Sequence, residues 1–455
     1  MSVLVEKADL SLRYTGHYNE VKNILWKNSA DILNSRRTKA LQDFVLQGIP
    51  TRKNENYKYT NLQPGFYPAF KFVHQREPAE VNLNQVFRCD VPKLDTWLAF
   101  IFNGWFYEKN YQIAGLPGNV ILSGLEKISF ERPELLMQYG QLADTGTDPL
   151  VALNTAYARD GYFLYVPKNT IIEKPIQIIN FLHEQKDAFV TQRNFIYIEE
   201  GADVKIITCD HTLNLNSYLS NAVTEIFTGP NASLEYYCLQ NQHNNTTSLN
   251  SVYIRQQNDS KVTYLNSSLH GGLIRNNLNV LLDGENSVAN LFGMAFTDRR
   301  QHIDNFTKVI HARPHCQSNQ IYKTVLDDNS TGAFSGKIHV MRDAQKTNAF
   351  QRSNNLLLTD KATMQAKPQL VIDADDVKCS HGATIGQIDE EALFYLRARG
   401  IDHKQARLMM MNAFAHEVIQ QIKVIPLRDR IDELVEKRLR GEVARCHECA
   451  YNCEC

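Results

Sequence analysis

"EEGADVKIIT" (residues 199–208), "TGPNASLEYY" (228–237), "QQNDSKVTYL" (256–265) and "DGENSVANLF" (283–292) share one grammar. Each opens on polar or small turn residues, passes through one or two small side chains, and ends as a strand-forming run. The turns at Gly201, Asn231, Asp259 and Glu285 recur at roughly 28 residues, in the range expected of a solenoid coil. Asparagine is abundant here ("NQHNNTTSLN", "LIRNNLNV") and tolerates the left-handed backbone that coil corners demand. The strands read as short alternating runs, so one set of side chains can stack inside. Few helical stretches intervene, which argues against βαβ units. A β-sandwich with long loops competes with this reading, but the repeat favours a β-solenoid. The repeat blurs after about residue 300.

Outward from this core the pattern turns helical on both sides. "HYNEVKNILWKNSADIL" spaces Val21, Ile24, Leu25 and Ile32 near a helical period, and "RRTKALQDFVLQG" continues it to Gly48. From about residue 95, aromatic and β-branched residues take over. After residue 388, Asp389 is a good N-cap with Glu390 and Glu391 in the first turn. A following helix carries Leu408, Met411, Ala415, Val418 and Ile422 as one apolar stripe, with Pro426 ending it or lying just beyond its end. "RIDELVEKRLRG" reads as a third helix. The expected organisation is a mainly helical N-terminal domain (1–90), a β-helix core (91–388), a C-terminal helical domain (389–440) and a Cys-rich tail (441–455).

The 455 residues carry a net charge of −1, with 49 Lys+Arg against 50 Asp+Glu. That balance makes no electrostatic case for nucleic acid or an anionic membrane surface. No stretch approaches the roughly 18 apolar residues of a membrane span. The first residues lack a basic segment followed by an apolar run, and Glu6 and Asp9 argue against a transit peptide. A cytoplasmic location is expected. The nine cysteines then read as reduced thiols or metal ligands, not a disulfide framework.

"DADDVKCSHGATIGQ" (373–387) sets a thiol and an imidazole two positions apart, Cys379 and His381. On a strand they share a face, with Cα atoms ~6.5–7 Å apart. Two soft ligands do not close a tetrahedral metal site, and a Cys–His dyad would need contact plus an orienting group. A half-buried cysteine beside a surface histidine is the plainer alternative. Asp373, Asp375 and Asp376 read as turn residues capping a coil, or else as paired carboxylates of a carbohydrate-active β-helix enzyme. His311, His315 and Cys316 form a second soft cluster, more simply read as the polar rim of a coil. The tail "CHECAYNCEC" brings Cys446, Cys449, Cys453 and Cys455 together, either as a metal site or as a flexible thiol-bearing tail. No GxxxxGK[ST] or strand–GxGxxG–helix pattern is present, so no motif gives evidence for a nucleotide site of its own.

"GIPTRKNENYKYTNL", "FSGKIHV…AQKTNAFQRSNNLLL", "KPQLVIDADD" and "ADDVKCSHGATIGQID" with "LFYLRARGI" resemble the SufB/SufD family of the SUF iron–sulfur cluster assembly system. The resemblance runs from about residue 20 to about 420, and the Cys-Ser-His segment is similar to the SufD branch rather than to SufB. It implies a right-handed parallel β-helix flanked by helical domains. It implies a non-catalytic scaffold that pairs with a SufB-type paralogue and docks a SufC-type ABC ATPase through residues 389–440. A homodimer is left open for the isolated chain. A transient iron–sulfur cluster shared with the partner is the implied cofactor, with His381 the implicated residue and Cys379 its neighbour. Flavin at the level of the assembled complex has no assignable residue here. A SufB-like scaffold is the nearest alternative.

Overall fold

In the computed structural model of the chain, the described residues are 2–27, 29–76, 94–107, 113 and 115–440. From Tyr162 onward, strands alternate between two ten-stranded sheets, each pairing in parallel with the strand two further on in sequence, while Ile121–Gly124 and Trp105–Phe106 pair antiparallel at the opposite edges. One sheet reaches its free edge through His302–His311, Thr331–Val340 and Thr363–Ile372. The other does so through Gln317–Leu326, Asn348–Leu357 and Lys378–Gly386. The result is a β-solenoid of about eight turns, flanked by helices at both ends of the chain.

The corners explain the repeat. Asn169, Gly201, Asn231, Asp259, Asn286, His315 and Lys346 all adopt left-handed backbone, with φ between 57° and 67°. Each donates its N–H to a carbonyl at the corner of the next coil: Gly201 to Pro230, Asn231 to Asn258, Asp259 to Glu285, Asn286 to Pro314, His315 to Gln345, Lys346 to Asp376. Three of the four expected corners are the left-handed residues themselves, and the fourth moves from Glu285 to Asn286. The repeat does not stop near residue 300. It continues through corners where His315 and Lys346 adopt a conformation that their residue types do not advertise.

Inside, side chains stack in register. Val204, Leu234, Val262 and Ala289 form one such row, all buried in the main core cluster. The outer faces of the two sheets are covered differently. Tyr14, Tyr18, Leu25, Phe44 and Tyr57 pack over Phe189, Leu219 and Leu249 of one sheet. Met411, Val418, Leu427 and Ile431 pack over Ile207, Leu239, Leu265 and Phe292 of the other.

The helices differ from their sequence reading in two places. The expected run from His17 to Leu33 is split into Ser2–Lys27 and Asp31–Gln47. The Asn34 amide donates to Trp26 and Ser29 carbonyls, satisfying acceptors that the first helix leaves open at its end. Gly48 closes the second helix at φ 65°, as its position predicts. Pro426 does not end a helix. It sits in the first turn of Ile425–Leu439, where its missing N–H costs nothing, and the preceding helix has already stopped at Ile419.

Candidate functional site

The solenoid ends abruptly. Thr363–Ile372 and Lys378–Gly386 are the edge strands of the two sheets, and no further coil covers them among the described residues. Pro368 lies within the first of them, where a missing ladder donor is tolerated. Ile372 and Ile385 are 42% and 47% exposed on this rim, and Phe350 is 45% exposed on the strand beneath it. Two unpaired strand edges beside exposed apolar side chains form a template for another chain.

Cys379 and His381 lie on the second edge strand. Register pairs Cys379 with Ala349 and His381 with Gln351, both buried residues of the strand below. Both therefore belong to the inward-facing rows, and both meet solvent only because the coil that would cover them is absent. Cys379 still touches the inner core, half-buried among Val377, Ala349 and Leu370. Burial pushes its thiol up, partly offset by a hydrogen bond with the Ala349 backbone. A thiol held in its neutral form is a poor nucleophile at neutral pH. His381 is exposed. Beneath it, Gln351 and Gln320 continue the same row, tied by Nε2–Oε1 at 3.3 Å and by the Thr307 hydroxyl donating to Gln320 at 2.8 Å.

The three aspartates stand at the last corner. Asp373 accepts from His339 Nε2 at 2.8 Å, Asp376 pairs with Lys346, and the Asp376 N–H donates to Gln345 Oε1 at 3.0 Å. Asp375 is exposed. The second soft cluster is taken apart by the fold. His311 is buried inside a coil, with Nε2 2.9 Å from the Ser318 hydroxyl, and burial pushes its imidazole down to about 4. His315 forms a corner. Cys316 is buried, with Sγ 3.1 Å from the Gly284 carbonyl. Among the described residues no group of three or more His, Cys, Asp or Glu is placed to hold a metal ion. Cys446, Cys449, Cys453 and Cys455 lie outside the described residues. So does any structural statement about a site in the tail.

Sequence reasoning placed Cys379 and His381 on one face but missed that this face looks into the solenoid. The signal lay in the strand count: only the last inward-facing row can be both interior and open. It also missed the aromatic surface on the C-terminal helices. Phe394 and Tyr395 are 72% and 57% exposed on Glu390–Ala398, and Met409 is 43% exposed on His403–Ile419.

Comparison with known proteins covers most of the chain. Residues 181–414 match the family described as "SUF system FeS cluster assembly, SufBD core domain", and residues 8–178 match the "SufBD protein N-terminal region". An iron–sulfur cluster assembly SufBD family protein of Synechocystis is 29% identical over 423 residues, covering 90% of each chain. The iron–sulfur cluster assembly protein SufD of Escherichia coli is 29% identical over 417 residues, covering 88% of this chain and 92% of that protein. SufD of Bacillus subtilis is 28% identical over 331 residues, covering 70% and 74%.

Proposed function

The chain belongs to the SufBD family of iron–sulfur cluster assembly proteins, and from that premise we propose that it is a SufD-type scaffold subunit whose open solenoid end pairs with a SufB-type paralogue. The nascent cluster is the cargo of that interface, and His381 is the ligand this chain contributes. The observation that carries the reading is the position of His381: an inward-facing residue laid bare on a rim of two unpaired strand edges. One imidazole and one neutral thiol leave a coordination set unfinished, which suits a site completed by a second chain. The chain itself carries out no chemical step in this reading. It supplies a ligand, an aligned surface and a rigid support.

The C-terminal helices are the docking module for a SufC-type ATPase. Their support is the exposed Phe394 and Tyr395 on Glu390–Ala398, which packs on the next helix, and the exposed Met409 on His403–Ile419, whose opposite face is buried against the solenoid. Among the described residues no helix is long and apolar enough to cross a membrane.

The test compares co-purified wild-type and His381→Ala complexes at equal subunit stoichiometry. The substitution removes an exposed imidazole, so pairing survives while iron and sulfide fall several-fold. Equal iron and sulfide in both would overturn the assignment of His381. Deleting residues 389–455 abolishes ATPase capture while SufB-type pairing persists. Undiminished capture would move the docking surface elsewhere.

A further inference from the structure

Far from the rim, a groove of about 680 Å³ opens where the N-terminal segment crosses the solenoid. Pro64 and Leu273 form apolar walls, and Arg299, Arg300, Asp328 and Asn329 line the polar side. The two arginines stand on the corner after Val288–Thr297, and both are exposed. Among the described residues, neither guanidinium makes a hydrogen bond or ion pair. Other corner cations are paired, such as Arg255 with Asp283 and Lys346 with Asp376.

The backbone beneath them is held in a costly shape. Arg299 has φ 53°, a left-handed conformation that a long side chain seldom adopts. It is fixed there by its N–H donating to the Asp328 carboxylate at 3.0 Å and by its carbonyl accepting from the Asn329 N–H at 2.9 Å. Asp328 thus spends one oxygen on the backbone rather than on a guanidinium. The floor is rigid. Gln301 is 3% exposed and donates to Asn244 at 2.6 Å, while its Oε1 accepts from Arg438 at 3.1 Å. His302 is wedged between the hydroxyls of Thr60 and Thr331 at 2.9 and 2.6 Å. Gly272 lets the chain pass against the Asn244 carbonyl, which a Cβ would strike at 1.9 Å.

Two nearby imidazoles feel the local charges. His243 is held below its usual range by burial and then by Arg299. His302 is held down by burial, with Arg275 and Arg52 adding to the effect against the pull of Asp304. Two unpaired guanidinia on a rigid corner match the oxygens of a phosphate, which arginine binds in bidentate fashion. A groove of this size takes a small molecule with an organic body, and the apolar walls suit that body better than water.

We propose that this groove binds an organic phosphate of nucleotide size, with Arg299 and Arg300 holding the phosphates and Pro64 and Leu273 flanking the organic moiety. The site is separate from the rim, and its occupancy does not depend on cluster assembly.

The experiment uses the full chain in low salt, without magnesium, titrated calorimetrically with ADP and, separately, with inorganic pyrophosphate. ADP is expected to bind saturably and more tightly than pyrophosphate, and binding weakens as salt rises. The Arg299→Gln/Arg300→Gln double variant weakens ADP at least tenfold. Asn329→Asp, an exposed change that keeps both arginines and adds a negative charge, weakens it several-fold. Unchanged thermal unfolding in each variant shows that the groove is intact. Failure of both probes to saturate overturns the proposal. So does ADP affinity unaltered by the double variant. Preference for an acidic peptide over both phosphates would also overturn it, because the groove would then be a protein-docking surface.

Discussion

On the sheet that ends at Thr363–Ile372, the N-terminal segments are fastened through fully buried ion pairs as well as apolar side chains, whereas on the opposite sheet the C-terminal helices are fastened mainly through apolar side chains. Arg193 and Glu225 pair at 2.6 Å with side chains 1% and 0% exposed, and Glu225 also accepts from the N–H groups of Gly140, Leu142 and Ala143. Arg275 pairs with Asp304 and donates to the Asn56 carbonyl at 2.8 Å. Thr60 donates to the same Asp304, and Arg275 stacks over the Tyr57 ring. On the other side, Leu408, Met411, Ala415, Val418, Leu427 and Ile431 form a continuous apolar contact. Its polar ties include the nearly buried Arg438, which pairs with Asp298 and donates to the Leu269 carbonyl at 3.0 Å, and the more exposed Lys423 with Glu235. Buried ion pairs are geometrically demanding and add little net stability, but removing one partner is severe. Apolar contact is forgiving in direction and roughly additive in area. The first arrangement sets one register. The second supplies adhesion for a module that must stay available to a partner.

The largest effect is therefore expected at the buried charges. Arg275→Met should cost about 3–5 kcal/mol by stranding Asp304 in the interior. Denaturant unfolding would measure the loss, and limited proteolysis should show the N-terminal segments released first. Adding Asp304→Asn should recover part of it, and a double-mutant cycle would report the coupling. A cost below about 1 kcal/mol would break the comparison.

A smaller and more local effect is expected on the other side. Met411→Ala should cost about 2–4 kcal/mol through lost burial and the cavity left behind. Hydrogen exchange should accelerate in His403–Ile419 while the strands around Arg193 and Glu225 keep their protection. Equal loosening of both regions would mean that the two attachments are one cooperative unit.

The smallest effect comes from acid and carries opposite signs on the two sides. His270 lies beneath the C-terminal helices, and burial together with Arg438 lowers its imidazole to about 4. Its unfolded form takes up a proton near 6.5, so stability is lost as pH falls from 7 toward 5, by about 1–2 kcal/mol. Asp160, which accepts from the Phe106 and Glu126 N–H groups, is raised by burial to about 6. Its folded form binds the proton more readily than its unfolded form, so falling pH below about 6 favours the folded state there. Hydrogen exchange at pH 7 and pH 5 should show the C-terminal helices loosening more than the segment around Glu126. His270→Asn should remove most of that difference.

Where residue type and backbone demand coincide, the solenoid was legible. Gly201, Asn231 and Asp259 are residues that favour left-handed corners, and they occupy them. Beyond residue 300 the corners fall to His315 and Lys346, held by neighbouring coils rather than by their own preference, so the period faded from view. Cys379 and His381 were readable as a same-face pair because strand periodicity is local. That they close the last inward-facing row is a property of the whole stack. The Arg275–Asp304–Thr60 clasp was invisible for the same reason: each residue is ordinary in its own segment, and its meaning depends on register across sheets.

The bond between Thr60 and the strand that begins at His302 has a consequence in time. These residues stand 242 positions apart in the chain. During synthesis at about 5–20 residues per second, the N-terminal segment emerges roughly 10–50 s before its anchor exists. Each coil, by contrast, finds its neighbour within one repeat and can zip as it emerges. The N-terminal helices, with Leu46 84% and Leu12 64% exposed even after docking, are therefore the part of the newborn chain that waits longest with apolar surface uncovered. A chaperone that binds nascent apolar helices would find its window there, and that window narrows as Phe189, Leu219 and Leu249 emerge and closes when the strand carrying His302 and Asp304 leaves the ribosome.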